Sequence, residues 1–201
     1  ENSIDAGAKN ITIELQNGGM TFLRITDDGC GMEPVDARTA FLRHATSKIR
    51  KKEDLACIGT LGFRGEALAA ISSVSKIDLL TRAQGAENGV RLHLEAGQVL
   101  SEEPAGCPYG TTILVRELFY NTPARMKFMK SDAAESSAVF SVVQQQALAH
   151  PEISFRFLKD GQEQLHTDGQ GNRMAAIYAI YGRELANNML PRSEERRVGK
   201  E

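Results

Sequence analysis

The chain has 201 residues, 41% hydrophobic and 25% charged, with a formal net charge of −2. Those values exclude wholesale disorder and fibrous classes, and they exclude a uniformly basic nucleic-acid surface while leaving room for a local patch. Cys30, Cys57 and Cys107 are far apart and lack metal-ligand spacing, so three reduced thiols are expected in place of a disulfide framework or zinc site. No run reaches the ~18 apolar residues of a membrane span. Residue 1 is Glu, and the chain opens inside a helical pattern. We therefore expect a natural N-terminus further upstream.

Taken in order, Glu1–Ala6 reads as the end of a helix, stopped by Gly7 in the left-handed conformation. Ile11, Ile13 and Leu15 alternate with polar residues and predict a strand. Asn17-Gly18-Gly19 predicts a hairpin turn, and Phe22–Thr26 the returning strand. Residues 34–43 read as a helix with Pro34 in its first turn. Residues 44–62 are polar, basic and punctuated by glycine, which predicts a long functional loop. Glu66–Val74 reads as a small-residue helix. Strands are expected at Ile77–Thr81, Val90–Glu95, Val99–Leu100 and Thr112–Leu118. Asp132–His150 reads as a helix with Ala138, Val142, Gln145 and Leu148 or Ala149 on its apolar face. Ile153–Leu158 is a further strand, closed by the Lys159-Asp160-Gly161 turn. A last helix, Asn172–Glu184, carries Met174, Ile177, Tyr178 and Tyr181 on one face and needs a sheet of its own to pack on. Helices alternating with hairpin-joined strands predict an α+β fold: a two-layer sandwich with a mixed, mostly antiparallel sheet.

Four segments carry chemistry. Asn2 and Asp5 share a helical face, and the Asn2 amide oxygen is a hard neutral ligand suited to Mg²⁺. An ordinary polar helix end is the plain alternative. Asp27-x-Gly29-x-Gly31 places a carboxylate at a strand end beside exposed backbone; it can accept from an exocyclic amine, as on adenine, or be a tight glycine turn. Arg43–Lys48 offers hydroxyls, backbone donors and cations, and the following Arg50, Lys51 and Lys52 fit a solvated loop equally well. His44 has no nucleophile paired with it in the sequence and reads as structural. Leu61–Leu68 is a glycine-rich loop opening a helix, which suits phosphate binding by backbone N–H groups, although it matches neither of the common phosphate-loop patterns.

Read together with Gly110-Thr111-Thr112 and Phe119–Arg125, these strings resemble the MutL family of DNA mismatch repair proteins, within the ATPase superfamily shared with DNA gyrase, a heat-shock chaperone and histidine kinases. Arg43–Lys48, Gly62–Leu68 and Phe119–Arg125 are the more specific strings; the first two motifs occur across the superfamily. The resemblance runs from residue 1 to about 190. It implies a gyrase-type ATPase fold over 1–168 and the start of a second, transducer-like domain at 169–191. It implies ATP and Mg²⁺ as cofactors, with Asn2 on the metal and Asp27 accepting from the adenine amine, supported by Thr111. Gly29 and Gly31 would open the base pocket. Thr46, Ser47 and Lys48 would form a lid over the phosphates, and Gly62, Phe63, Arg64, Gly65 and Glu66 would wrap them. Phe119–Arg125 would be structural support behind the site.

The resemblance further implies slow hydrolysis that gates self-dimerisation and DNA clamping, with DNA and a mismatch-recognition protein as partners and no membrane. The location would be cytoplasmic in a bacterium and nuclear in a eukaryote. A non-enzymatic nucleotide-gated scaffold is the competing class, and a gyrase-type or chaperone-type ATPase the third. The family's general-base Glu falls before residue 1, so no catalytic residue is assigned within the chain. Seven of the ten residues 192–201 are charged where an alternating strand is expected, and we read them as foreign sequence. The expectation is that these 201 residues, incubated with ATP and Mg²⁺, release phosphate no faster than an Asp27→Asn control. General-base catalysis contributes about 10²–10⁴-fold, so turnover clearly above that control would contradict it.

Overall fold

The computed structural model describes residues 1–42 and 66–189. The expected long loop at 44–62 and the charged tail at 192–201 lie outside the described residues. A short helix α1 (Asn2–Asp5) leads into β1 (Asn10–Gln16), a tight 3₁₀ turn at Asn17–Gly19 and the returning β2 (Phe22–Asp27). Gly7 has φ +73°, the left-handed stop read from the sequence. After α2 (Pro34–Thr39) and α3 (Ala67–Ser72) come β3 (Lys76–Arg82), β4 (Gly89–Glu95), β5 (Gln98–Ala105) and β6 (Gly110–Arg116). A single turn α4 (Pro123–Met126), the long α5 (Asp132–Ala149), β7 (Ser154–Lys159), β8 (Gln162–His166) and α6 (Arg173–Asn187) complete the order.

The described strands form one sheet in the order β5-β4-β3-β6-β2-β1-β7-β8. The β1–β7 pair is parallel, because β7 arrives by a helical crossover; the other pairings are antiparallel. The expected fold class is therefore the one the chain forms.

Register explains the core. Side chains alternate across a strand, so paired odd positions of the central strands share one face. Phe157, Ile13, Ile25, Ile113, Leu79 and Leu92 are successive cross-strand partners and make an apolar row across the sheet. A second row runs Leu15, Leu23, Val115, Ile77, Leu94. Helix α5 covers one half of this face, with Val143 and Ala147 buried and the Phe140 ring 5.3 Å from that of Phe157. Ala37 of α2, with Phe41 just beyond it, covers the other half. The opposite face is more polar: on it Asp78 is held by Arg116, by His93 at 3.1 Å and by Arg91 at 3.4 Å.

Several expectations need correction. The buried stripe of α5 is Ser136, Val139, Phe140, Val143 and Ala147, whereas Ala138, Val142, Gln145 and Ala149 face solvent. Apolar side chains occur all round this helix, so its periodicity does not single out a face; packing against the Phe157 row does. In α6 the buried residues are Ala176 and Ala186, with Ile180 reaching the core. Met174, Tyr178 and Tyr181 of the expected apolar face are about half exposed, and the helix breaks at Gly182. Strand β8 was not foreseen, because four of its five residues are polar and it pairs only with β7 at the sheet edge. Strand β5 is longer than Val99–Leu100 for the same reason, an exposed edge having little apolar pattern.

Leu79 is wholly buried in the central row. Leu79→Ala is expected to cost about 2–5 kcal/mol. Val142→Ala, on the exposed side of α5, is expected to stay within about 0.5 kcal/mol. Denaturant unfolding of both variants checks the buried central row and the exposed side of α5.

Candidate functional site

A third row of the buried face begins with Phe155 and Ile11 and ends with Val90. Between them stand Asp27, Thr111 and Thr81, on β2, β6 and β3. Three polar residues thus interrupt an otherwise apolar surface at one end of the central strands. Thr81 is fully buried, while Asp27 and Thr111 are half-buried.

The Asp27 carboxylate accepts from Ser3 Oγ at 2.6 Å and from the Gly29 N–H at 3.0 Å. Each carboxylate oxygen keeps a further lone pair for a donor. The next residue is used differently. Asp28 accepts from the Lys9 and Asn10 N–H groups, both at 2.8 Å, and from Asn10 Nδ2 at 2.7 Å, which ties the loop to the start of β1. Of the paired aspartates, one anchors the loop and the other faces the polar break.

The loop after β2 is stitched down on several sides. The Cys30 N–H donates to Ala6, the Gln84 N–H to Cys30 and the Met32 N–H to Thr81 Oγ1. Gly31 has φ +67°, and a Cβ there would run into the Arg82 carbonyl. Gly110 has φ +108°, and a Cβ there would meet the Asp27 carbonyl. Both glycines are demanded by backbone packed on backbone. At Gly29 a Cβ would lie 2.8 Å from that of Ala6. The glycines of the motif therefore have a packing reason within the chain itself, and they hold Asp27 against α1.

Helix α1 brings Asn2 to the same end of the sheet, its side chain exposed, one residue from the Ser3 that bonds Asp27. Among the described residues no cluster of His, Cys, Asp or Glu is able to hold a metal by itself. A lone hard amide oxygen fits a Mg²⁺ ion held mainly by ligand phosphates and water. Thr46, Ser47, Lys48, Gly62, Phe63, Arg64 and Gly65 lie outside the described residues. Glu66 immediately precedes α3 and is exposed.

Phe119–Arg125 sits at the other end of β6 from Thr111. There the Phe119 N–H donates to Val74, the Leu118 N–H to Met20 and Asn121 Nδ2 to Ser73. The expected support behind the site is thus a brace on the C-terminal end of α3, at a distance from Asp27. Ser3 and Thr81 were missed at the sequence level. Ser3 lies inside a string already singled out, next to Asn2, and was legible as a helix-end hydroxyl. Thr81 gave no signal, being one Thr at the end of a hydrophobic strand.

Residues 1–105 match the family described as histidine kinase-, DNA gyrase B- and HSP90-like ATPase, and the chain belongs to that family. Within it, the likeness is to MutL. The chain is 49% identical over 190 residues to the DNA mismatch repair protein MutL of Agathobacter rectalis, covering 94% of this chain and 29% of that protein. It is 50% identical over 192 residues to MutL of Symbiobacterium thermophilum, covering 95% and 30%. The chain thus spans under a third of the length of these relatives. A solved Aquifex aeolicus MutL ATPase domain complexed with ADP superposes with a TM-score of 0.71 at 29% identity, over 90% of this chain and 64% of that one. The N-terminal domain of a DNA repair protein gives 0.74 at 31% identity, over 90% and 54%. No described helix is long and apolar enough to cross a membrane.

Burial opposes ionisation of Asp28, but hydrogen bonds from the Asn10 side chain and from the Asn10 and Lys9 N–H groups outweigh it and hold its carboxyl below the usual aspartate range. A depressed folded value means the stabilisation is present above the ordinary aspartate range and is lost as pH falls through the depressed value. Asp28→Asn is expected to flatten that acid limb of the stability–pH curve, read by thermal melts at stepped pH.

Proposed function

We propose that the chain is the nucleotide-binding part of a DNA mismatch repair protein of the MutL type, binding ATP with Mg²⁺ at the Asp27 end of the sheet. The observation that carries this reading is the polar break in the buried face. Asp27, an acceptor with lone pairs still available, lies beside Thr111 and is tied by Ser3 to the helix that bears Asn2. The likeness to an ATPase domain with ADP bound supports it.

In this reading Asp27 accepts from the adenine amine with Thr111 beside it, and Gly29 and Gly31 shape the floor on which the base lies. Asn2 supplies one oxygen to Mg²⁺, which when bound offsets the charge of the phosphates. Thr46, Ser47 and Lys48 close over the phosphates, and Gly62, Phe63, Arg64, Gly65 and Glu66 surround them with donors. Nucleotide binding and slow hydrolysis then gate dimerisation and clamping on DNA, with a mismatch-recognition protein as partner, in the cytoplasm of a bacterium.

We further propose that 1–168 forms the nucleotide-binding unit and 169–191 begins a second one, with 192–201 foreign to it. The exposed apolar residues Met174, Tyr178, Tyr181 and Leu185 of α6 support a second layer on that side.

The test uses protein expressed from the complete gene. Asn2→Ala removes a metal ligand, so Mg²⁺-dependent binding and turnover are expected to fall together. Asp27→Asn replaces an acceptor-only group with one that presents a donor to the adenine amine. It is expected to cost about 1–3 kcal/mol of nucleotide binding, the scale of an unsatisfied buried polar group. Calorimetric titration with ATP, with and without Mg²⁺, separates the two. An unchanged affinity in Asp27→Asn would remove the adenine assignment.

A further inference from the structure

Thr81 has none of its surface exposed, yet its hydroxyl meets three polar groups. The Met32 N–H donates to Thr81 Oγ1 at 3.0 Å. The Gly110 carbonyl oxygen is 2.9 Å from it, and Thr111 Oγ1 is 3.0 Å from it. A hydroxyl has one hydrogen and two lone pairs. The Gly110 carbonyl can only accept, so it takes the Thr81 hydrogen. The Met32 N–H occupies one lone pair. The contact with Thr111 is then a hydrogen bond only if the Thr111 hydroxyl donates to the second lone pair. Every position on the Thr81 hydroxyl is filled, and the hydrogen of Thr111 points back into the protein.

The consequence appears at the polar break. Thr111 is left with lone pairs to offer, and Asp27 beside it is acceptor-only. The side chains at this end of the row therefore present acceptors and no donor. An amino group has hydrogens to give to such an edge; a keto oxygen has none, and meets lone pair against lone pair.

We infer that Thr81 is a positioning residue for base selectivity: by receiving the Thr111 hydrogen it keeps the pocket edge all-acceptor, which favours an amino-bearing purine over a keto-bearing one. This deepens the reading of the Asp27 row as a base-binding site and rests on it. Thr81 contacts no ligand in this scheme and acts through Thr111. Thr81→Val keeps the shape and deletes the hydroxyl, so Thr111 is free to turn its hydrogen outward and donate to a keto oxygen.

The test measures affinity for ATP and for inosine triphosphate, which carries a keto oxygen in place of the amine, on protein expressed from the complete gene. Wild type is expected to prefer ATP. Thr81→Val is expected to narrow that preference about tenfold, the upper end of what one neutral hydrogen bond contributes. Thr81→Ser, which keeps the hydroxyl, is expected to retain it. Partial unfolding weakens both nucleotides alike and cancels in the ratio, so a merely structural role does not produce this pattern. Thr81→Ala, read the same way, serves as the second variant if Thr81→Val gives no folded protein. An unchanged ratio in Thr81→Val or Thr81→Ala, with wild type preferring ATP, overturns the role of Thr81 and leaves the site reading intact. A wild type that binds no ATP, or binds both nucleotides equally, overturns the site reading and the inference with it.

Discussion

The antiparallel register of β2, β6 and β3 is the constraint on which the rest depends. It sets Asp27 opposite Thr111 and Thr111 opposite Thr81, on the face whose central rows are otherwise apolar. A slip of one residue would send all three to the polar face and bring the residues beside them into the core. The apolar rows prevent that slip. Leu79 is buried, and Ile25 and Ile113 are packed against the core, by the same register that brings the polar trio together, so the energy that folds the sheet also assembles the site.

Polar residues on a buried face are tolerated because they are bonded. Burying a hydroxyl or carboxylate without a partner is costly, and here Ser3, Gly29, Met32 and the Gly110 carbonyl provide partners from three separate segments. Those bonds reach into α1, the loop after β2 and the start of β6. The site is therefore a junction of elements, and the close approaches at Gly31 and Gly110 allow it to be that compact. The division between Asp28, which anchors the loop, and Asp27, which retains lone pairs, follows from strand alternation: neighbouring residues face opposite sides.

The strings around Asn2 and Asp27 were legible because motif chemistry is local. A carboxylate at a strand end followed by spaced glycines declares itself whatever the rest of the chain does. Thr81 was not legible, since its significance lies in what is opposite it, and partners thirty residues away leave no mark in its own neighbourhood. The edge strands β5 and β8 were under-read for a related reason: a strand paired on one side, with most of its residues exposed, carries little hydrophobic pattern.

By itself the sequence determined the fold class, the placement of the central strands and helices, the left-handed stop at Gly7 and the family resemblance, because alternation, helical periodicity and turn chemistry act over a few residues. Tertiary structure alone decided which face of α5 is buried. With valines and Phe140 distributed round the helix, local periodicity offers several solutions, and the choice falls to contact with Phe157 on a strand formed after the helix ends. It also decided that Asp27, Thr111 and Thr81 meet. Hydrogen-bonded register between strands far apart in the chain is a property of the folded sheet, and no single segment contains it.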